Sequence, residues 1–486
     1  RGNEYPIGLS QLKEVMRTEN IISAGDYYIG NIISENYTDI IISNIFTKAL
    51  QNKEQPLFSA EFQSGSIFNY PKLQPCTHEL NTRICVGNGM KGFNYYMFAG
   101  GKHYEDGIWI FNRYHDWQAP VSPDGEKRIS YDYIKNTVNI LKASEKEIIN
   151  SENIYDVCFG FYPDYFRTEY KNEIFEIIKN KRNTGIFYGF LRGVLAENYQ
   201  TDAVNIIDEE IEKYDKLIIF STAYMDEKIQ LKIVNYINNG GNVLLYPEIP
   251  VYNMNGEKCE ILKNFINTDI VSDMIYRFAD VLGTECIAVN SAQTYSGLKS
   301  NEILGKIEET DETAVFQRKI GKGKIIVMGI NFEMNFIHHK NFIKEIMSYF
   351  GVKKHTDIIS EDINLSVKKY KESYLFFINN FDEYEKEFSI KISGKDISEG
   401  NKFKIKGKSG LLLYRNLNLG NTVLEYSSAE ICEKGENSIS FLCRQKKEII
   451  KFNKKVKNFS EKNTEEKENG FYICRDCEGE KIKFYF

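Results

Sequence analysis

Through the first 150 residues, short apolar and aromatic runs break off into polar residues or glycine, and amphipathic stretches separate one run from the next. Residues 7–18 read as a short amphipathic helix. Asn20 to Tyr28 reads as a strand at Asn20–Ser23 opening into a polar, aromatic mouth at Asp26, and residues 36–51 supply the next helix. A strand at 56–61 ends on Glu61, a loop holds Tyr70, Pro71, Pro75 and Cys76, and a helix over 78–90 leads to a strand at 92–98. A polar helix over 131–150 follows. Short strands with polar residues at their carboxyl ends, alternating with helices, predict an α/β fold of the (β/α)8 TIM-barrel kind, of which about three strands are here.

Beyond residue 150 the period changes. A strand at Ile154–Tyr162, helices over 169–182 and 186–197, and strands near 203–207, at 216–221 and at 242–247 alternate, with a helix over 226–239. Gly240 and Gly241 end that helix just before a strand, which argues a small open α/β sheet with helices on both faces. Arg277 to Val289, Ala314 to Arg318 and the run after Gly321 to Gly323 add strands, and a last helix flanked by His338 and His339 ends near Phe350. From about residue 355, short β-rich runs separated by Lys, Asn, Gly and Ser predict one or two antiparallel β-sandwiches. The expected domains are 1–150, 151–352 and 353–486.

Charge narrows the partners. With 62 basic and 68 acidic residues the net charge is −6, which gives no argument for nucleic acid, and no window has the apolar length of a membrane span. Nine cysteines spread along the chain do not form a disulfide framework, and Cys474-Arg-Asp-Cys477 stands alone without the second pair or the histidines of a zinc site. No metal or other cofactor is expected, and His103 and His115 read as polar rim residues. The chain starts at Arg1 without a methionine, so a longer natural protein is expected. A cytoplasmic location is expected, with export left open.

Chemistry concentrates where the strands end. A carboxylate leaving an apolar strand is costly to bury, so Glu61 belongs at a mouth where it is hydrogen-bonded or meets substrate. The following strand delivers Asn94, Tyr95 and Tyr96, then Lys102, His103 and Tyr104, a set of donors and ring faces suited to carbohydrate. Asp26 and Tyr27 are further candidates for the pocket wall. Trp109 and Trp117 are candidates for stacking on sugar faces, although core packing explains aromatics equally well.

Ser59-Ala-Glu-Phe-Gln-Ser-Gly65 resembles the nucleophile strand of the retaining β-galactosidases of glycoside hydrolase family 35. Asn94-Tyr-Tyr-Met-Phe-Ala-Gly-Gly101 resembles their eighth barrel strand, and Tyr114-His-Asp-Trp-Gln-Ala-Pro120 with Asp124-Gly125 the stretch after it. Family 42 is a close alternative. The resemblance implies Glu61 as nucleophile, Asn94, Tyr96 and Tyr114 near the sugar, and hydrolysis of terminal β-D-galactosyl residues from a β-galactoside oligosaccharide or glycoside. Ala99, Lys102 and His103 depart from the family pattern.

The clan's acid/base resembles an Asn-Glu pair ending strand four, which Asn3-Glu4-Tyr5 imitates. Too few residues separate Glu4 from Asn20 for the intervening helix, strand and helix, so a loop carboxylate is expected there and the acid/base in a segment preceding this chain. Residues 151–352 resemble the flavodoxin-like, glutamine-amidotransferase-like middle domain of family 42, which implies a homo-oligomer formed through it. The turn Ser221-Thr-Ala-Tyr224 lacks the cysteine of a working amidotransferase. Two other readings stay open: a non-catalytic carbohydrate-binding or assembly module, and an exo-β-glycosidase of different sugar specificity.

Overall fold

The computed structural model describes residues 22–52, 54–66, 72–103, 113–167, 172–458 and 464–486. The expected helix at 7–18, the Asn3-Glu4-Tyr5 run, the loop residues Tyr70 and Pro71, Tyr104 and Trp109 lie outside them. The first described elements are strand β1 (Gly25–Tyr27), helix α1 (Tyr37–Leu50), strand β2 (Leu57–Gln63), helix α2 (Pro75–Gly87) and strand β3 (Met90–Tyr96). The three strands form one parallel sheet in the order β1-β2-β3. This is a partly closed barrel sheet, and its mouths lie at the strand carboxyl ends. Its first strand sits later than the sequence suggested, so Asp26 is inside the strand and not beyond it. Helix α2 opens at Pro75, whose missing N–H belongs to the unpaired first turn, and therefore begins ahead of the predicted residue 78.

Helix α1 buries Ile40, Ile41, Ile42, Ile45 and Phe46, an apolar surface too wide for one neighbour. The surplus faces the middle of the chain: the Phe46 ring stacks on Phe161 at 4.3 Å, and Tyr37 stacks on Phe381 at 4.6 Å. A single apolar core consequently runs from the barrel strands into the region after residue 157. Two short strands, β4 (Gly101–Lys102) and β5 (Tyr114–His115), pair as a ribbon beyond β3. The predicted closing helix is two helices, α3 (Ile129–Ala143) and α4 (Glu145–Asn150), which meet at Ser144.

Next come β6 (Glu152–Asn153), β7 (Val157–Phe161), β8 (Thr201–Asn205), β9 (Lys216–Ser221), β10 (Asn242–Pro247), β11 (Asp269–Val281), β12 (Thr284–Ser296), β13 (Ile303–Ile307), β14 (Thr313–Ile320), β15 (Gly323–Met328) and β16 (Ile330–Asn331). All but β6 join one ten-stranded sheet, ordered β16-β12-β11-β13-β14-β15-β10-β9-β7-β8. Strands β7, β8, β9, β10 and β15 run parallel in the order 2-1-3-4-5, that of doubly wound flavodoxin-like sheets. The antiparallel half makes the sheet much larger than expected. Arg277 to Val289 is not one strand: Leu282 and Gly283, with φ of 51° and 82°, turn it into the β11–β12 hairpin, whose two-residue loop needs left-handed backbone.

The carboxyl-terminal third is β throughout. An eight-stranded antiparallel sheet, which includes β6, is flanked by two four-stranded sheets. Alternation explains it: Leu375, Phe377, Leu412 and Tyr414 enter one core, and their neighbours Phe376, Ile378, Leu411 and Leu413 the other. The two sandwiches therefore share their middle layer.

Helix α2 lies against that shared sheet at backbone distance. A Cβ at Gly87 would stand 2.9 Å from the Phe377 side chain, and one at Gly410 would stand 2.3 Å from Arg83 Cδ. Buried Arg83 reaches Glu430 with both terminal nitrogens, at 2.7 and 3.1 Å, and its Nε donates to Glu79 Oε1 at 3.0 Å. Arg444 donates to the same Glu79 oxygen at 2.6 Å, and Glu430 Oε1 also accepts from the Leu412 N–H at 2.7 Å. Glu79's charge, acting against burial, raises the Arg444 pKa above its ordinary value. Among the described residues no helix is long and apolar enough to cross a membrane.

Removing one member of such a cluster strands the others without water. Arg83→Met is expected to lower stability by about 3–5 kcal/mol, read by chemical denaturation. A loss below about 1 kcal/mol would mean that the pair contributes no more than a surface ion pair.

Candidate active site

The mouth of the three-stranded sheet is built by alternation along β2. Phe62 turns inward, where its ring meets Phe93 at 5.2 Å and Tyr95 at 5.7 Å, and the preceding residue, Glu61, turns away from that aromatic floor and is half-buried. In the parallel register Asp26 stands beside Glu61, and Gln63 beside Tyr96. The Tyr28 hydroxyl donates to Glu61 Oε2, and its ring meets the Tyr96 ring edge-on at 6.5 Å. Asn94 Nδ2 donates to the Ala60 carbonyl at 3.0 Å, tying β3 to β2 next to the carboxylate.

The strand ends are pinned by backbone bonds. Gln63 Oε1 accepts from the Gly30 N–H at 2.8 Å, and Ser64 donates to the Tyr96 carbonyl through both its N–H and its hydroxyl. At Gly65 a Cβ would lie 2.6 Å from the Met97 carbonyl oxygen and 2.7 Å from that of Trp117, so no larger residue fits. That close approach holds the loop after β3 against the loop after β2.

Electrostatics follow from the crowding of acids. Burial, then the Glu61 charge, raises the Asp26 carboxyl above its ordinary value of 3.8. Burial also raises the Tyr28 phenol, with the hydrogen bond to Glu61 and the Glu61 charge adding to it, so Tyr28 stays a proton-bearing donor. This pairing of a carboxylate with a neutral phenol suits a group that must be held in one orientation to attack.

Sequence expectations fall out unevenly. Asp26, Glu61, Asn94 and Tyr96 are brought to one mouth. Tyr114 belongs to the β4–β5 ribbon, where its hydroxyl donates to Asp124, and Lys102 pairs with Asp124 at 2.6 Å beneath a 5.6 Å approach to the Tyr114 ring. Tyr27, expected on the pocket wall, is 4% exposed and donates to Asn44 Oδ1 at 2.9 Å inside the core. Its neighbour Tyr28 takes the wall position; the period-two rule applied from Asp26 would have found it. Trp117 packs edge-on to His115 at 4.7 Å, and His115 stacks on His103 at 4.2 Å. Among the described residues no group of three or more His, Cys, Asp or Glu side chains is arranged to hold a metal.

In the middle region Ser221, at the end of β9, is buried and donates to the Glu248 carbonyl. The turn at 221–224 thus carries a serine already bonded to backbone.

Comparison with known proteins gives the context. A family model described as "GLMA-like, second domain" matches residues 169–302. The chain is 27% identical over 416 residues to a β-1,2-glucosyltransferase of Ignavibacterium album, covering 81% of this chain and 57% of that protein. An exo-β-D-glucosaminidase of Pyrococcus horikoshii is 24% identical over 442 residues, covering 82% and 54%. The chain spans roughly half the length of these curated relatives.

Among solved structures, a catalytic mutant of Gan42B, a GH42 β-galactosidase from G. stearothermophilus, aligns with a TM-score of 0.66 at 14% identity, covering 83% of this chain and 60% of that one. A β-galactosidase from Rahnella sp. R3 aligns at 0.64 and 14%, covering 81% and 60%. The fold is that of the GH42-type glycoside hydrolases. At these identities the likeness concerns fold alone, and it carries no choice of sugar.

Because part of the Asp26 shift comes from Glu61, Glu61→Gln is expected to move the Asp26 titration down toward 3.8, leaving the part due to burial. Carboxyl-carbon NMR titration reads this directly, and an unmoved or raised Asp26 would mean that the two carboxyls do not sense each other.

Proposed function

We propose that this chain carries the nucleophile half of a retaining enzyme acting on terminal β-glycosides, with Glu61 as the attacking carboxylate. The observation that carries the reading is a half-buried carboxylate at the carboxyl end of a parallel strand, oriented by the Tyr28 hydroxyl and flanked by Asn94 and Tyr96. Active sites of barrel enzymes gather at that face.

In this mechanism Glu61 Oε attacks the anomeric carbon as the glycosidic C–O bond breaks, and a carboxylic acid about 5 Å away protonates the departing oxygen. The resulting glycosyl ester is then opened by a hydroxyl whose proton returns to the same carboxylate. A water hydroxyl gives hydrolysis, and a sugar hydroxyl gives transfer. The family resemblance assigns the acid/base to the end of barrel strand four, ahead of the strands described here, and not to Glu4. Asp26, Asn94, Tyr96, Tyr114 and Trp109 are proposed as substrate contacts, Tyr28 as a positioning residue for Glu61.

The sugar is proposed to be gluco-configured, a reading supported by curated relatives named for glucosyl and glucosaminyl chemistry and aligned over four-fifths of the chain. The galactosyl reading has the support of the strand motifs at 59–65 and 94–101. In either case residues 1–150 form the catalytic segment, 151–352 a non-catalytic α/β region and 353–486 the sandwich region. The middle region is proposed to mediate self-association, which the exposed apolar Ile275 and Tyr276 on the β11–β12 hairpin support.

Incubating the full-length protein with 2-fluoro-glucosyl and 2-fluoro-galactosyl fluorides is expected to trap a glycosyl ester on the peptide containing Glu61, the glucosyl reagent reacting faster. Glu61→Gln should abolish labelling and lower turnover by at least ~10²-fold, the lower end for a positioned catalytic group. A label on another carboxylate, or full turnover by the variant, would sink the assignment.

A further inference from the structure

The Cys474-Arg-Asp-Cys477 run, solitary in the sequence, has another thiol beside it in the fold. All nine cysteines are free, and Cys443, Cys474 and Cys477 share one core in the sandwich region. Two of these touch: the Cys443 and Cys477 thiols are hydrogen-bonded to each other. The backbone builds that contact. Strand Ser438–Leu442 pairs antiparallel with strand Lys481–Tyr485, with Leu442 opposite Lys481. One step beyond, Cys443 donates its N–H to the Glu480 carbonyl at 3.0 Å and accepts from the Gly479 N–H at 2.9 Å. The chain then folds back in a turn closed by the Glu480 N–H on the Cys477 carbonyl at 2.9 Å, with Asp476 and Gly479 left-handed at φ of 48° and 80°. That turn brings Cys477 back to Cys443.

From Arg475 to Lys481 every residue is exposed except Cys477, which is buried, as is Cys443. The Cys477 thiol also donates to the Gln445 carbonyl at 3.6 Å, and its N–H to the Lys446 carbonyl at 3.4 Å. A surface turn held by so few backbone bonds opens locally at far lower cost than the sheets beneath it, and opening it bares Cys477. Cys474 is committed elsewhere. It lies inside strand Phe471–Arg475, where its sulfur accepts from the Thr464 hydroxyl at 3.6 Å.

We propose that Cys443 and Cys477 are a reversible disulfide site, a redox latch between the turn at 476–480 and the loop that carries Arg444, with a small-molecule disulfide as oxidant. When the turn opens, the Cys477 thiolate attacks one sulfur of the small disulfide, whose S–S bond breaks and releases one small thiol. Closure returns the mixed disulfide to Cys443, whose thiolate attacks Cys477 Sγ and expels the second small thiol. Two protein S–H bonds are lost and one protein S–S bond forms, while the small disulfide is reduced to two thiols that carry off the two protons. Burial raises both thiols above their ordinary 9.0, so in the closed turn they stay protonated and unreactive. Arg444 follows Cys443 directly, and the Arg444 and Gln445 N–H groups both donate to Glu448 Oε1, at 2.7 and 2.8 Å. The bridge therefore pins the backbone that presents Arg444 to Glu79, and it does so whatever the role of Glu61.

Incubating the full-length reduced protein with oxidised glutathione, then digesting it without reductant for mass spectrometry, tests this. The intact mass is expected to fall by two hydrogens, with one cross-linked peptide pair joining Cys443 to Cys477, and dithiothreitol should reverse both changes. Cys443→Ser should stop at a glutathione adduct on Cys477, the first step without the second. The bridged protein should unfold at higher urea than the reduced one, because the closed loop restricts the unfolded chain, and its Arg444 and Gln445 amides should exchange with deuterium more slowly. Both comparisons use the wild-type chain, so they stand even if the serine variant fails to fold. A Cys474–Cys477 bridge, glutathione adducts without a bridge, no reaction, or a bridge that leaves those amides exchanging as before would each overturn the proposal.

Discussion

Three buried charges and a partly exposed fourth tie the first part of this chain to the last. Arg83, Glu79, Glu430 and Arg444 close on one another where helix α2 meets the shared sheet of the two sandwiches, and two of them, Arg83 and Glu430, are fully buried. Such a cluster tolerates little displacement, because each charge is tolerable only in the presence of its partners. Helix α2 connects β2 to β3, so its seating on the sandwich fixes the strands that carry Glu61, Asn94 and Tyr96. The far third of the sequence thereby positions the mouth of the first.

The mouth itself follows from a simple opposition along one strand. Aromatic side chains beneath β2 and β3 give the sheet an unyielding floor, and every other residue faces outward. Polar groups on the outward side are then close enough to bond to each other, as Tyr28 does to Glu61 and Asn94 does to the β2 backbone. Orientation here comes from the neighbouring strands and, through Tyr28, from the residue that follows β1. Loops enter at Gly65, where two backbones pass too closely for any side chain.

Much of this arrangement could be read from residue order because it is local. The strand at 216–221 and that at 242–247 match the structure at both ends, since apolar runs bounded by glycine or charge leave little choice of boundary. Glu61 stood out as a carboxylate closing an apolar run. What escaped was long-range. Nothing near Arg83 announces a partner 347 positions away, so the sequence showed only a helix over 78–90. The β11–β12 hairpin turns on Leu282, a residue type that does not signal a turn, and the two sandwiches share a sheet because both faces of its strands are apolar, which period-two reading registers only as a buried strand. Tyr27 and Tyr28 are chemically identical, and only the exact position of a three-residue strand separates core from mouth.

The contact at Gly410 and Arg83 has a bearing on how such chains diverge. A helix from one lineage joined to strands from another would set an unpaired arginine against a foreign sheet, or a Cβ into its stem. Recombination between relatives should therefore keep the segment around residues 79–83 together with the one spanning 410–444, although more than three hundred residues separate them in the chain. Inheritance would treat the two as a unit that the linear gene does not display.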